Sequence, residues 1–394
     1  MNTKPTARAE FGTKPRRDEG GVAFVHLGVE GGCPRASRLH RSIGEASAVQ
    51  LICEDSQHVW VEVRASGLFG KAWNLLLILF GHFERYVHSK YCLHEARPLV
   101  AKQVICHDLL LLPLAIQRWG GGNVIFDARE YYPRQFEHNR AWRIVAGRLN
   151  QYLCSTYLPK VAQTITVSQG LAQLYEREYR VPVSVAPSFS EYLELSVGPV
   201  GDPVRLVHHG NATPNRQLEN MVLAMDLLGG DYVLDLYLVW KEDRYRRRLE
   251  HLCAQRDNVN LCKPVHFEQI VPTLNGYDIG LFVPPAATVN LDLALPNKLF
   301  EYVQARLMIV VSPLQEASRL VREHDLGTVA ASAAAQDIAS CIKAVARPAV
   351  LRYKRNAQVA AKILCADAFV EVVCKHLVQV QELSDARVDA PEPG

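Results

Sequence analysis

The sequence predicts an α/β fold made of two doubly wound, Rossmann-like domains that face each other across a cleft. Three observations predict it. Short β-branched runs alternate with helix-length segments along the whole chain. The runs are almost continuously apolar, as in parallel strands covered on both faces. They also fall into two series, separated by a stretch rich in Pro, Gly and Ser. The first series is GVAFVHLGV, AVQLIC, HVWVEV, KQVICHD, NVIFDAR, QTITVS and PVSVAP; the second is VRLVHHG, YVLDLYLV, VNLCKPV, DIGLFVPP, MIVVSP and LGTVA. Two such series read as two sheets, not one oversized sheet. The expected division is a disordered polar tail over 1–20, a first domain over 21–186, a linker over 187–203, a second domain over 204–364, a helix over 365–384 and a loose end over 385–394.

Composition narrows the function classes. The chain has 394 residues, which suits two to three domains at about 150 residues each. A hydrophobic fraction of 48% excludes wholesale disorder. The 44 basic and 41 acidic residues leave a charge of only +3, which argues against a nucleic-acid partner. The ten cysteines lie no closer than nine positions apart, so CxxC and zinc-knuckle spacings are absent. Most sit in apolar runs and read as small buried hydrophobes in a reducing, cytoplasmic compartment. The first twenty residues lack the apolar core of a secretory signal. The apolar run AWNLLLILFGHF, residues 72–83, is far shorter than the roughly 20 residues a spanning helix needs. Lys71, Arg85, Lys90 and Arg97 surround it. The stretch reads first as an amphipathic helix packed on a sheet, and alternatively as a helix lying on an anionic membrane surface.

Ligands of doubly wound sheets bind beyond the carboxyl ends of the strands, and four loops there carry suitable chemistry. In EGGCPRASR, residues 30–38, Gly31 and Gly32 either admit a negative ligand to the next helix's free amides or simply make a tight turn. Arg35 is the side chain expected to reach the cleft. In NVIFDAREYYP, residues 123–133, Asp127, Arg129 and Glu130 cluster at a strand's end, which suggests a site more than a surface ion pair. In HHGNATPNRQLEN, residues 208–220, a polar turn leads to a helix expected near Asn215. Arg216 in its first turn would clamp phosphate beside the helix dipole. The adjacent His208 and His209 face opposite ways and are not expected to share a metal. In VNLDLALPNKLFEYVQARLMIVVSP, residues 289–313, Pro296 suits a first helical position and the helix is expected to reach about Arg306. Asn297 and Lys298 at its amide end form a second anion site, and Glu301 lies one turn further in.

Taken in order, DAREYYP, ITVSQGLAQLYEREYRVPVSVAP, LVHHGNATPNRQLEN, YDIGLFVPP and LPNKLFEYVQARLMIVVSP resemble the retaining glycosyltransferases of family 4, over about residues 20–380. The resemblance implies GT-B architecture, a nucleotide-sugar donor held mainly by the second domain and an acceptor held mainly by the first. Arg216 then matches the residue on the donor diphosphate, with Lys241 a second basic group; Gly210, Asn211, Pro296, Asn297 and Lys298 line the same side. Val265 falls where the family contacts the nucleobase, and Glu301 matches the glutamate on the ribose hydroxyls. Gly31, Gly32 and Arg35 match the loop approaching the donor sugar and acceptor. The final helix would cross back onto the first domain.

Two departures touch the reacting centre. The family's Glu-x7-Glu motif requires an acid where this chain has Leu293, so Asn290 or Asp292 is expected to supply the sugar contact. Arg129 replaces a common histidine. Asp-x-Asp is absent from the sequence, so no metal or other cofactor is expected. The expected activity is retaining transfer of a sugar to a polysaccharide or lipid-linked glycan, with Arg129, Glu130, Asp292 and Glu301 as catalytic candidates and peripheral contact with an anionic membrane. An inactive nucleotide-sugar-binding subunit and a nucleotide-sugar epimerase are the alternatives.

Overall fold

Fourteen strands form in the computed structural model, which describes residues 21–28, 34–44, 50–52, 59–64, 66–95, 101–188, 190–293 and 295–388. The first half contributes β1 (Val22–Val25), β2 (Gln50–Ile52), β3 (Val59–Val63), β4 (Tyr91–Glu95), β5 (Gln103–Cys106), β6 (Val124–Ala128), β7 (Gln163–Thr166) and β8 (Val183–Val185). The second contributes β9 (Val204–Ala212), β10 (Tyr232–Trp240), β11 (Val259–Cys262), β12 (Ile279–Phe282), β13 (Met308–Val311) and β14 (Gly327–Val329). They make two six-stranded parallel sheets, ordered β2-β1-β5-β6-β7-β8 and β11-β10-β9-β12-β13-β14. Every residue of β1, β5, β6, β12 and β13 is buried, which explains their almost wholly apolar sequences, with Gln103 and Asp127 as the polar exceptions.

The run HVWVEV, expected in the main sheet, instead pairs antiparallel with β4 in a separate hairpin. Its alternation gives the reason: Val59 and Val61 are buried while Trp60 and Glu62 are exposed, the pattern of a strand covered on one face. The stretch expected as one helix packed on a sheet is two helices, Leu68–Leu79 and Phe83–Lys90, followed by β4. Gly81, at φ +77°, breaks the helix between them. Only Leu77 and Ile78 of the first helix are buried, so its apolar surface faces outward.

Residues 187–203 contain no helix or strand among those described. The last helix, Ala366–Val388, includes residues 385–388 expected as a loose end. The expected tails at 1–20 and 389–394 lie outside the described residues. Gln103 Nε2 donates to Leu377 O at 2.8 Å, tying this helix to β5 of the first domain. One apolar cluster runs from Phe24, Ile105 and Ile125 through Val373 and Leu377 into Leu299, Phe300 and Ile309. Both sheets are therefore fixed to a shared apolar mass, which sets how their carboxyl edges meet.

Candidate functional site

In the second sheet the strand order reverses between β9 and β12, and in the first between β1 and β5. Such reversals open a crevice at the strands' carboxyl ends, because the flanking connections leave on opposite faces. Polar residues gather at both.

At the second crevice, β9 ends through His208, His209 and Gly210. Gly210 has φ +112°, and a Cβ there would sit 3.3 Å from Lys298 Nζ, so backbone and packing both require glycine. Lys298 stands on the helix Asn297–Gln304, with Pro296 as its extended cap. Its Nζ donates to His209 O at 2.6 Å and lies 3.4 Å from His208 Nε2. His208 Nδ1 donates to Leu281 O at 2.8 Å, which leaves Nε2 as the acceptor facing Lys298. His209 Nε2 lies 3.2 Å from Glu301 Oε2, without hydrogen-bond alignment. The expected helix at Asn215 begins instead at Glu219. Arg216 belongs to the 3₁₀ turn Pro214–Arg216, because Gln217 turns left-handed at φ +48° and interrupts the helical path. The other helix ends at Gln304 and not Arg306, which is left-handed at φ +61°.

Burial, followed by the nearby Arg216 guanidinium, drives the Lys298 ammonium well below its usual pKa. Burial also lowers Arg216. Burial and Lys298 push His209 down to about 3 and lower His208 strongly, so both imidazoles are neutral at pH 7. Two basic groups thus share this corner with one carboxylate, Glu301. That excess of basic groups suits an anionic ligand, whose charge would favour the protonated Lys298. It also sets a pH dependence. The His209 pKa falls on folding, so its stabilising contribution is complete above about pH 6.5 and is lost as pH drops towards 3, at about 1.4 kcal/mol per pH unit. His209→Gln should flatten the acid side of the Tm–pH curve between about pH 6 and pH 4; an unchanged slope would contradict a neutral buried His209.

At the first crevice, Leu27 N donates to Asp108 Oδ2 at 2.6 Å, and Arg129 Nη2 to Asp108 Oδ1 at 3.1 Å. Arg129 and Glu130 therefore do not form the surface pair considered from sequence: Glu130 Oε1 accepts from Gln135 Nε2 at 2.6 Å. Burial raises the Glu130 pKa, partly offset by Gln135 and Arg129. Arg35, expected in the open cleft, is only 3% exposed and acts as a strut. Its Nε and Nη2 hold Asp127 at 2.6 and 2.8 Å, and Nη1 donates to Ser188 Oγ at 2.9 Å. His107 Nδ1 meets the same Asp127 carboxylate at 2.7 Å. Burial alone would raise the Asp127 pKa, but Arg35 and His107 together hold it well below the carboxylate range. Gly31 and Gly32 lie outside the described residues.

The segment Val289–Leu293 joins the two domains. Asn290 Oδ1 accepts from Tyr131 N at 2.6 Å and its Nδ2 donates to Tyr131 O at 3.1 Å. Asp292, expected at the sugar, accepts from Gln315 N at 2.8 Å and so caps the helix Gln315–Glu323. Leu293 O accepts from Ser168 Oγ at 2.5 Å. Lys241 is exposed just beyond β10 and Val265 half-buried beyond β11, further along the same carboxyl edge; Asn211 is exposed at the end of β9. Arg216, Lys298 and Glu301 are thus brought together, whereas Asn290 and Asp292 are engaged by protein groups. His107 and Asp108 escaped the sequence reading because they end KQVICHD, which is otherwise a plain buried strand. A charged pair ending an apolar run was the available signal.

No protein-family model matches the chain, and no curated protein matches it. Solved structures do match over most of its length. Sucrose-phosphate synthase from Thermosynechococcus elongatus superposes with a TM-score of 0.68 at 12% identity, covering 92% of this chain and 100% of that one. Anabaena HepE, solved with UDP and glucose, gives 0.64 at 11% identity, covering 91% and 100%. WaaG, a glycosyltransferase of lipopolysaccharide biosynthesis, gives 0.59 at 12% identity, covering 86% and 95%. The fold is GT-B. In GT-B terms, the β9–β12 and β1–β5 crevices are the two walls of one interdomain cleft. Among the described residues, no group of three or more His, Cys, Asp or Glu is placed to hold a metal ion, and no helix is long and apolar enough to cross a membrane.

Proposed function

We propose that the protein is a retaining glycosyltransferase that moves a sugar from a nucleotide-sugar donor to a polysaccharide or lipid-linked glycan, at the cytoplasmic side of an anionic membrane. The observation that carries this reading is the convergence of the half-buried Arg216 on the buried Lys298 and Glu301 at the second-domain crevice. A donor diphosphate would neutralise both cations, and the amide end of the helix Asn297–Gln304 adds a favourable dipole. As the glycosidic bond breaks, negative charge grows on the departing diphosphate and the same groups stabilise it more strongly. Glu301 accepts hydrogen bonds from the ribose hydroxyls. Gly210, Asn211, Pro296 and Asn297 line the diphosphate, and Lys241 and Val265 extend the wall towards the nucleobase. Across the cleft, Arg129 and Glu130 orient the acceptor hydroxyl. Asn290 and Asp292 position the joining segment at the reacting sugar. Attack from the leaving-group face, guided by the phosphate, gives retention without a protein nucleophile or a metal.

Incubation with a panel of nucleotide sugars, with and without glycan acceptors, tests the reading. Acceptor-dependent product with the donor's anomeric configuration supports it. Donor binding without turnover points to an inactive subunit, and sugar interconversion without acceptor points to an epimerase. Glu301→Gln should lower kcat/KM by about 10- to 100-fold, the effect of weakening a charge-assisted hydrogen bond, while the thermal melt stays close to wild type. Full activity in this variant would remove Glu301 from the site.

A further inference from the structure

The structure assigns a second binding surface to the first domain: the helix Leu68–Leu79 lies in an anionic bilayer, and an arginine-lined cavity beside it takes a lipid headgroup phosphate. This deepens the membrane contact of the proposed function by naming the surface and its polar anchor. The helix is exposed where a soluble fold would cover it. Leu68 is 86% exposed, Phe69 94%, Trp73 58% and Phe80, just past its end, 74%. Leu75, Leu76 and Leu79 are exposed as well. A contiguous apolar face of this size on a monomer marks an interaction site. An aromatic-rich helix of only 12 residues suits the bilayer interface and cannot span it.

Charge selects the partner. The helix packs against the turn Arg143–Gly147, where Ile144 is 59% exposed. Arg143 and Gly147 also line a cavity of about 260 Å³ with Arg134, Arg148, Glu137 and Gln151. Arg134 is paired with Glu137. Among the described residues, Lys71, Arg85, Arg140, Arg143 and Arg148 have no carboxylate partner and are all exposed. Over 68–90 and 134–157 the only acids are Glu84 and Glu137. Apolar side chains ringed by unpaired cations match an anionic lipid surface, where each basic residue adds attraction within a Debye length. A second copy of this chain would set like charges against like. The cavity also adjoins the cleft: Glu137 Oε1 accepts from Val289 N of the joining segment at 2.6 Å. A membrane held here brings lipid-linked glycans to the acceptor side.

Flotation of the full chain with phosphatidylcholine vesicles, with and without phosphatidylglycerol, tests this. Binding should favour the anionic vesicles by at least about tenfold and weaken with salt. Phe69→Ser/Trp73→Ser should lower binding by about tenfold or more, and Arg143→Glu/Arg148→Glu should abolish the anionic preference. All four positions are exposed, so thermal melts should stay near wild type. Absence of binding to either vesicle would overturn the proposal, as would binding indifferent to both variants. A wild-type dimer that Phe69→Ser/Trp73→Ser converts to monomer would overturn it too, in favour of a second copy. Donor-induced thermal shifts on the same preparation keep the outcomes separate: a protein that binds nucleotide sugar but no vesicle defeats only this inference.

Discussion

Arg216→Ala is expected to weaken nucleotide-sugar binding by about 10- to 100-fold, the loss of one charge-assisted, forked contact to phosphate. The free protein should remain at least as stable as wild type. Arg216 adds to burial in depressing the Lys298 ammonium, so removing the guanidinium relieves repulsion there. A residue kept for folding would behave the opposite way, since its loss would lower the melting temperature. Calorimetric titration with the preferred donor, alongside a melt of the empty protein, reads both quantities. Unchanged affinity would remove Arg216 from the donor site, and a large fall in Tm would make it a structural residue. Arg216→Lys should restore only part of the affinity, because an ammonium cannot reproduce the planar fork.

The second large effect concerns stability. Asp127→Ala leaves Arg35 buried without its carboxylate and strips the partner from His107 Nδ1. Removing one member of such a pair costs about 3–5 kcal/mol, or about 6 to 20 °C in Tm for a domain of this size. The penalty comes from the stranded charge more than from the lost attraction. The double variant Arg35→Met/Asp127→Leu should therefore recover much of the loss. Urea unfolding of the single and double variants measures this directly. A double variant as unstable as Asp127→Ala would show that something other than the isolated guanidinium dominates.

How far the sequence revealed these groups depended on whether each signal was local. The doubly wound sheets were legible because β1, β5, β6, β12 and β13 are fully buried and apolar but for Gln103 and Asp127. The Pro296 helix with Lys298 and Glu301 was legible because cap, amide end and carboxylate sit within six residues. Arg35 was misread: its partner Asp127 lies 92 positions away, and only the tertiary fold turns the side chain inward. The break before the Glu219 helix rests on Gln217 adopting φ +48°, which glutamine seldom does and no residue type announces. Asn290 and Asp292 looked available to a sugar because the backbone amides they satisfy, on Tyr131 and Gln315, belong to other loops. The helix Leu68–Leu79 was recognised as apolar, but its outward face depends on neighbours that the sequence does not identify.

The most direct test is a thermal-shift titration of the wild-type protein against UDP-, GDP-, ADP-, CMP- and dTDP-sugars. Ligands that prefer the folded state raise Tm in proportion to RT ln(1 + [L]/Kd). The Arg216–Lys298 corner predicts a shift that rises with concentration as RT ln(1 + [L]/Kd) for at least one diphosphate-linked donor. The monophosphate-linked CMP-sugar should give a smaller shift, and Arg216→Ala should abolish or sharply reduce the response. No shift with any donor, or a shift of equal size in Arg216→Ala, would contradict it.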